Sequence, residues 1–172
     1  MGHNNKARSN KPLLYFAYGA NLNKVNMAHR CPMARPLGKA GLKGYRLVFR
    51  NVADVVESPG DRVAGAIWEI THACERALDR FEGYPNLYIK RYVTVTLDGQ
   101  QRVVMLYVMK SRTYVGLPSP MYADCILEGY KDFGLDRACF EKAIRDVQEA
   151  LGGEHNEGYG KEARNGRTLR TR

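Results

Sequence analysis

Metal ligands and disulfide partners are what this sequence is poorest in. It has four cysteines and four histidines in 172 residues. Cys31, Cys74, Cys125 and Cys139 form no Cys-x-x-Cys pair, and His3, His29, His72 and His155 are equally dispersed. Neither a zinc site nor a Cys–His nucleophile pair has local support. The cysteines read as small buried apolar residues, and the single tryptophan, Trp68, as packing. Long apolar runs are also missing: nothing approaches the ~20 residues needed to cross a bilayer. The expectation is a soluble, cytoplasmic protein of one compact domain.

Basic charge is present but concentrated at the ends. The net charge is +9, yet it lies mainly before residue 12 and after residue 160, so the body is nearly neutral. Residues 1–11 therefore read as a flexible segment. Residues 153–172, with Lys161, Arg164, Arg167, Arg170 and Arg172, read as a flexible basic tail that could touch phosphate non-specifically. Functional binding of nucleic acid is not expected, and residues 12–152 form the domain.

Within that domain, the run Leu13 to Leu22 breaks from apolar residues into Tyr18-Gly19-Ala20-Asn21. Buried strands read as such runs. Because Gly and Asn tolerate positive φ, the turn could aim successive N–H groups into one anion-binding concavity, although an ordinary strand-to-helix turn has the same signature. Asn21 or Asn23 can cap a short helix to about Arg30, stopped near Cys31-Pro32.

Leu37–Asn51 reads as strand interrupted by Gly41 and Gly44. Asn51–Glu57 reads as loop, Ser58–Asp61 as a turn, and Val63–Ile70 as the next strand, where Gly65 suggests close backbone approach. Thr71 is a candidate N-cap for a helix burying Cys74, Ala77, Leu78 and Phe81, ended by Gly83 and Pro85. Tyr88–Leu97 and Gln101–Met109 alternate as two strands joined at Asp98-Gly99, a hairpin signal. After the loop Ser111–Leu117, Ser119-Pro120 opens a helix ending at Gly134. A last helix turns Phe140, Ala143, Ile144, Val147 and Leu151 inward, with Glu141 and Arg145 spaced to pair. Six strands and four helices in this order suit an α+β fold, a small mixed, largely antiparallel β-barrel with flanking helices.

Glu82 is the residue with the clearest chemical promise. It follows the apolar face of its helix and falls in the last turn, where the macrodipole disfavours a carboxylate. Burial and the dipole both raise its pKa, which suits proton transfer near neutral pH. The alternative is a solvent-facing Glu at a helix end.

Four motifs, YFAYGANL, SPGDRVAGAIWEI, LDRFEGY and PSPMY, stand in an order and spacing that resembles the γ-glutamylcyclotransferase family of the AIG2-like group, over about residues 12–135. The resemblance implies conversion of a γ-glutamyl compound to 5-oxoproline and a free amine, without metal or cofactor. It makes Glu82 the catalytic acid/base. It assigns substrate binding to Tyr15, Phe16, Ala17, Tyr18, Gly19, Ala20 and Tyr122, with Tyr88 an aromatic near the pocket. Without the motif, Tyr122 reads as core packing.

Ala20 departs from the Ser usual in the family. A homodimer is compatible with the resemblance. The leaving amine stays open, whether from a γ-glutamyl amino acid, a γ-glutamylamine, a masked antibiotic intermediate or glutathione. The competing readings are a non-catalytic module binding a γ-glutamyl compound or similar zwitterion, and a nucleic-acid binder acting through the tails.

Overall fold

The first strand, β1 (Leu13–Ala17), is flanked antiparallel by β3 and parallel by β5, with Tyr15 opposite both Trp68 and Met105. In this computed structural model residues 12–111 and 113–152 are described; the expected flexible segments 1–11 and 153–172 lie outside them. Strands β2 (Arg35–Arg50) and β3 (Val52–Ile70) form a long hairpin, and β4 (Tyr88–Leu97) pairs with β5 (Gln100–Met109) in a second. The order β1-β3-β2-β4-β5 closes into a barrel. Closure joins β1 to β5, the strands at the two ends of that order.

The described chain has five strands rather than six, because β2 runs unbroken through Gly41 and Gly44, where an interruption was expected; the segment expected to be a loop, Asn51–Glu57, is also almost entirely strand. Asn51 alone makes the reversal, at φ 62°, a conformation Asn tolerates better than most residues. Val52 then enters β3 directly. Ser58–Asp61, expected as a turn, is an excursion inside β3: Lys43 faces Arg62 and Tyr45 faces Glu57, so the four residues between them bulge opposite Gly44 alone. Turn chemistry was present but was used to bend a strand rather than end it.

The other punctuation acts where it was expected. Asp98 and Gly99 both have positive φ, as a tight hairpin turn requires. Asn23 caps α1 (Lys24–Arg30), Thr71 caps α2 (His72–Glu82) and Ser119 caps α3 (Pro120–Phe133), each accepting from the N–H three residues on. Gly83 and Gly134 close α2 and α3 in the left-handed conformation.

The last helix, α4 (Ala138–Ala150), buries Phe140, Ala143, Ile144 and Val147. Leu151 is exposed instead, lying just past the helix end, and the ion pair along α4 is Lys142–Asp146 rather than Glu141–Arg145. The core runs through the barrel and under α3 and α4, including Phe16, Ile67, Leu106, Ile126 and Phe140. Trp68 belongs to it, edge-on to Phe133 at 5.6 Å. Cys31 and Cys74 are buried, Cys125 and Cys139 half-buried, and all four are free.

Candidate active site

The end of β1 opens the site. Beyond Tyr18, Ala20–Leu22 form one 3-10 turn, and Asn23 then caps α1. Positive φ is not how this turn is made: Gly19 has φ −119°, and Asn21 sits in the 3-10 turn. Glycine is favoured here by lack of space. A Cβ on Gly19 would meet Ala53 Cβ at 3.1 Å and the Tyr122 hydroxyl at 3.3 Å. The turn's leading N–H groups have no acceptor inside so short a helix. Helix α3 is pressed on this turn at Gly129, where a Cβ would come 2.4 Å from Leu22 Cβ. That contact fixes the helix carrying Tyr122 relative to the turn.

Opposite the turn stands Glu82, the last residue of α2. Its Oε1 accepts a hydrogen bond from Asn21 Nδ2 at 2.8 Å. Burial pushes its pKa up to about 7, opposed by the Asn21 bond and the Arg30 charge. A carboxyl group in this range gives up and regains a proton near neutral pH.

Two further contacts hold the end of α2. Tyr107 donates to Asp79 Oδ1 at 2.7 Å, and Lys90 bridges Asp79 and Glu75. Phe81, expected in the buried stripe of α2, is 49% exposed. Its ring lies under the Arg30 guanidinium, 3.4 Å from the centroid. Cation–π stacking explains why a large apolar side chain stays at the surface.

Tyrosines make the walls. Tyr15, Tyr18, Tyr88, Tyr107 and Tyr122 line one pocket together with Gly19, Ala20, Asn21, Ala53, Phe81 and Glu82. Its empty volume, with the open solvent at the mouth included, is about 320 Å³. Each hydroxyl has a partner. Tyr18 donates to the Tyr107 carbonyl at 2.5 Å, Tyr88 to the Ala53 carbonyl at 2.6 Å, and Tyr122 accepts from the Ala53 N–H at 3.2 Å. Tyr15 accepts from Asn21 Nδ2 at 2.9 Å. Burial raises the pKa of all five, that of Tyr122 to about 12, so they stay neutral donors and acceptors beside Glu82.

Of the residues singled out from sequence, Tyr15, Tyr18, Gly19, Ala20, Tyr88, Tyr122 and Glu82 converge on this pocket. Phe16 and Ala17 do not line it. Both are fully buried in the core, with Phe16 packed on Gly65, where a Cβ would come 2.4 Å from the ring.

Five contributors escaped the sequence reading: Asn21 as the partner of Glu82, Arg30 behind it, Tyr107, and Ala53 with its neighbour Asp54. Asp54 is completely buried, pairs with Arg50 at 3.3 Å and accepts from Met109 N–H at 2.9 Å. Ala53 and Asp54 were hidden because their segment reads as loop. Among the described residues no group of three His, Cys, Asp or Glu is placed to hold a metal ion, and no helix is long and apolar enough to cross a membrane.

Comparison with known proteins bears on the same residues. The family model described as "Gamma-glutamyl cyclotransferase, AIG2-like" matches residues 15–124. A γ-glutamylcyclotransferase of Bos taurus is 33% identical over 157 residues, covering 83% of this chain and 82% of that protein. A γ-glutamylaminecyclotransferase, also of Bos taurus, is 29% identical over 111 residues, covering 58% and 66%. A solved structure named "Gamma-glutamyl cyclotransferase" superposes with TM-score 0.68 at 28% identity, covering 88% of this chain and 93% of that one. The pocket and both its walls fall within the matched residues, and the chain belongs to the γ-glutamyl cyclotransferase, AIG2-like family.

Proposed function

We propose that this protein is a γ-glutamylcyclotransferase, in which the α-amine of a γ-glutamyl compound attacks its own γ-carbonyl to give 5-oxoproline and a free amine. The supporting observation is the half-buried Glu82, with pKa near 7, sharing a narrow pocket with the Gly19–Asn21 turn and Tyr122. The turn's N–H groups hold the substrate α-carboxylate, and Tyr15, Tyr18 and Tyr122 shape the glutamyl subsite.

Ionised Glu82 takes a proton from the α-ammonium. The freed amine forms the new C–N bond as the γ-carbonyl becomes tetrahedral, and the proton held by Glu82 passes to the departing nitrogen as the old C–N bond breaks; the surplus proton of the new ring nitrogen follows through Glu82 to the released amine, which leaves as an ammonium with Glu82 ionised again. No external nucleophile enters. Folding the glutamyl chain into its ring-closing conformer draws on intramolecular attack, of order 7–11 kcal/mol in favourable cases. The enzyme so described is cytoplasmic and needs neither metal nor cofactor. The broader match to the γ-glutamylcyclotransferase than to the γ-glutamylaminecyclotransferase weighs against a γ-glutamylamine as the substrate.

Incubation with γ-glutamyl-alanine and assay of 5-oxoproline tests this reading. The intact chain is expected to release product, and Glu82→Gln to lose at least a hundredfold in kcat while keeping its fold, the scale of a lost acid/base. Equal turnover by both proteins removes Glu82 from the chemistry. A pocket that binds γ-glutamyl-alanine without turnover in the intact chain makes it a binding module.

A further inference from the structure

Asn21 is held at both ends of its amide. Its Nδ2 donates to Glu82 Oε1 at 2.8 Å and to the Tyr15 hydroxyl at 2.9 Å, while its Oδ1 accepts from Arg30 Nη1. The Arg30 contact dictates the amide's orientation, because a guanidinium carries only donors and must face the amide oxygen. The amide nitrogen is thereby forced toward Glu82. Asn21 itself is 3% exposed, with no solvent to compete for either end. Arg30 is held in turn by Phe81, the residue immediately before Glu82, whose ring its guanidinium covers at 3.4 Å. The three contacts form a closed bracket around the last turn of α2.

We propose that Arg30 is a positioning residue: by orienting the Asn21 amide it holds the Glu82 carboxylate against the glutamyl subsite, in the geometry that proton transfer needs. The inference rests on the acid/base role given to Glu82 above. Without Arg30, the Asn21 amide is free to turn its oxygen toward Glu82, an arrangement that suits a protonated carboxyl group and not the ionised base. The other titratable groups facing Glu82 are Tyr15 from β1, Tyr18 from the turn, Tyr88 from β4, Tyr107 from β5 and Tyr122 from α3. All are neutral near pH 7, which leaves Arg30 as the positive charge acting on Glu82.

The test compares the intact chain with Arg30→Met, Arg30→Lys and Phe81→Leu, measuring kcat and KM for γ-glutamyl-alanine across pH and following the Glu82 carboxyl carbon by NMR titration. Arg30→Met is expected to lose about tenfold or more in kcat with KM changed less than about threefold, a split that separates positioning from substrate binding. The acidic limb of its profile and its Glu82 titration both move up by about one pH unit, since an opposite charge has been removed. Arg30→Lys, which restores a donor and a charge, recovers most of both, and Phe81→Leu shows a smaller change in the same direction.

Unchanged kcat and Glu82 titration in Arg30→Met overturn the proposal, as does a loss confined to KM. Should Arg30→Met not fold, Arg30→Gln takes its place, and wild-type kcat and Glu82 titration in both Arg30→Gln and Phe81→Leu overturn the proposal. If the intact chain turns over no γ-glutamyl donor while the Glu82 titration still follows Arg30, the functional reading fails and the positioning stands.

Discussion

Asn21 Nδ2 and Glu82 Oε1 lie 2.8 Å apart across 61 residues of sequence. That bond ties the turn after the first strand to the end of α2, the two elements that face each other over the pocket. It also holds a carboxyl group where water is scarce. A group kept near pH 7 by burial is useful to catalysis and costly to the fold, and the two consequences can be measured separately.

The cost has a definite sign. Glu82 has a pKa of about 7 in the folded protein and about 4.3 in an unfolded chain. Between those values the native state binds more protons than the unfolded state, so stability falls as pH rises through the window. Glu82→Gln removes this dependence and is expected to be more stable than the wild type at pH 8, by on the order of 1–3 kcal/mol, with a much smaller difference near pH 4.5. Urea midpoints at both pH values check it. Parallel pH–stability curves for the two proteins would mean that Glu82 is not desolvated.

Gly19→Ala tests how tightly the subsite is built. The added methyl would press on Ala53 Cβ at 3.1 Å and the Tyr122 hydroxyl at 3.3 Å, tighter than ordinary contact at both points. Because Gly19 has negative φ, alanine meets these two close contacts without left-handed strain. Stability is therefore expected to drop by only about 1–2 kcal/mol, as for mild overpacking, whereas KM for γ-glutamyl-alanine rises at least tenfold. A thermal melt beside steady-state kinetics separates the two, and unchanged KM would place the substrate elsewhere.

Tyr122→Phe removes one oxygen and keeps the ring. The Ala53 N–H loses its acceptor, and an unpaired buried donor costs about 1–3 kcal/mol. The same oxygen interacts with the main chain of Ala20, so the turn loosens as well. Both a lower urea midpoint and a lower kcat/KM are expected. Loss of stability with full activity would reduce Tyr122 to a wall residue, which is how it reads from helical spacing alone.

Local rules carried much of the fold and part of the site. Asn23, Thr71, Ser119 and Gly83 act through their own side chains or backbone freedom within a few residues, so their roles can be read from neighbours alone. Glu82 was legible for the same reason, since the end of a helix and the end of its apolar stripe coincide there. Contacts between distant segments were not. Nothing near Asn21 in sequence says that its amide meets Glu82, and nothing near Phe81 says that Arg30 shelters it at the surface. The half of β3 before Ser58 was misread because hairpin pairing with the end of β2 turned a segment with turn residues on both sides into strand. Phe16 and Ala17 came with the motif that contains them: Phe16 lies on the face opposite Tyr15, since adjacent side chains of an extended strand alternate, while Ala17 shares the face of Tyr15 but is fully buried in the core, and the pocket takes Tyr15 alone from that stretch.

The wall behind Ala53 rests on a buried ion pair, and there the effect on stability is expected to be largest. Asp54 is 0% exposed and Arg50 7%, their charged groups 3.3 Å apart, with Arg50 also donating to the Tyr114 carbonyl and Asp54 accepting from Met109 N–H. Asp54→Ala leaves the guanidinium buried without its counter-charge, and breaking such pairs costs about 3–5 kcal/mol. Removing both charges avoids that penalty. Arg50→Met with Asp54→Leu is therefore expected to recover much of the stability lost by Asp54→Ala, as measured by urea unfolding at pH 7. Ala53 bonds both Tyr122 and Tyr88, so kcat/KM should follow stability in this series. A double variant no more stable than Asp54→Ala would show that the wall depends on the hydrogen bonds of this pair rather than on its charge balance.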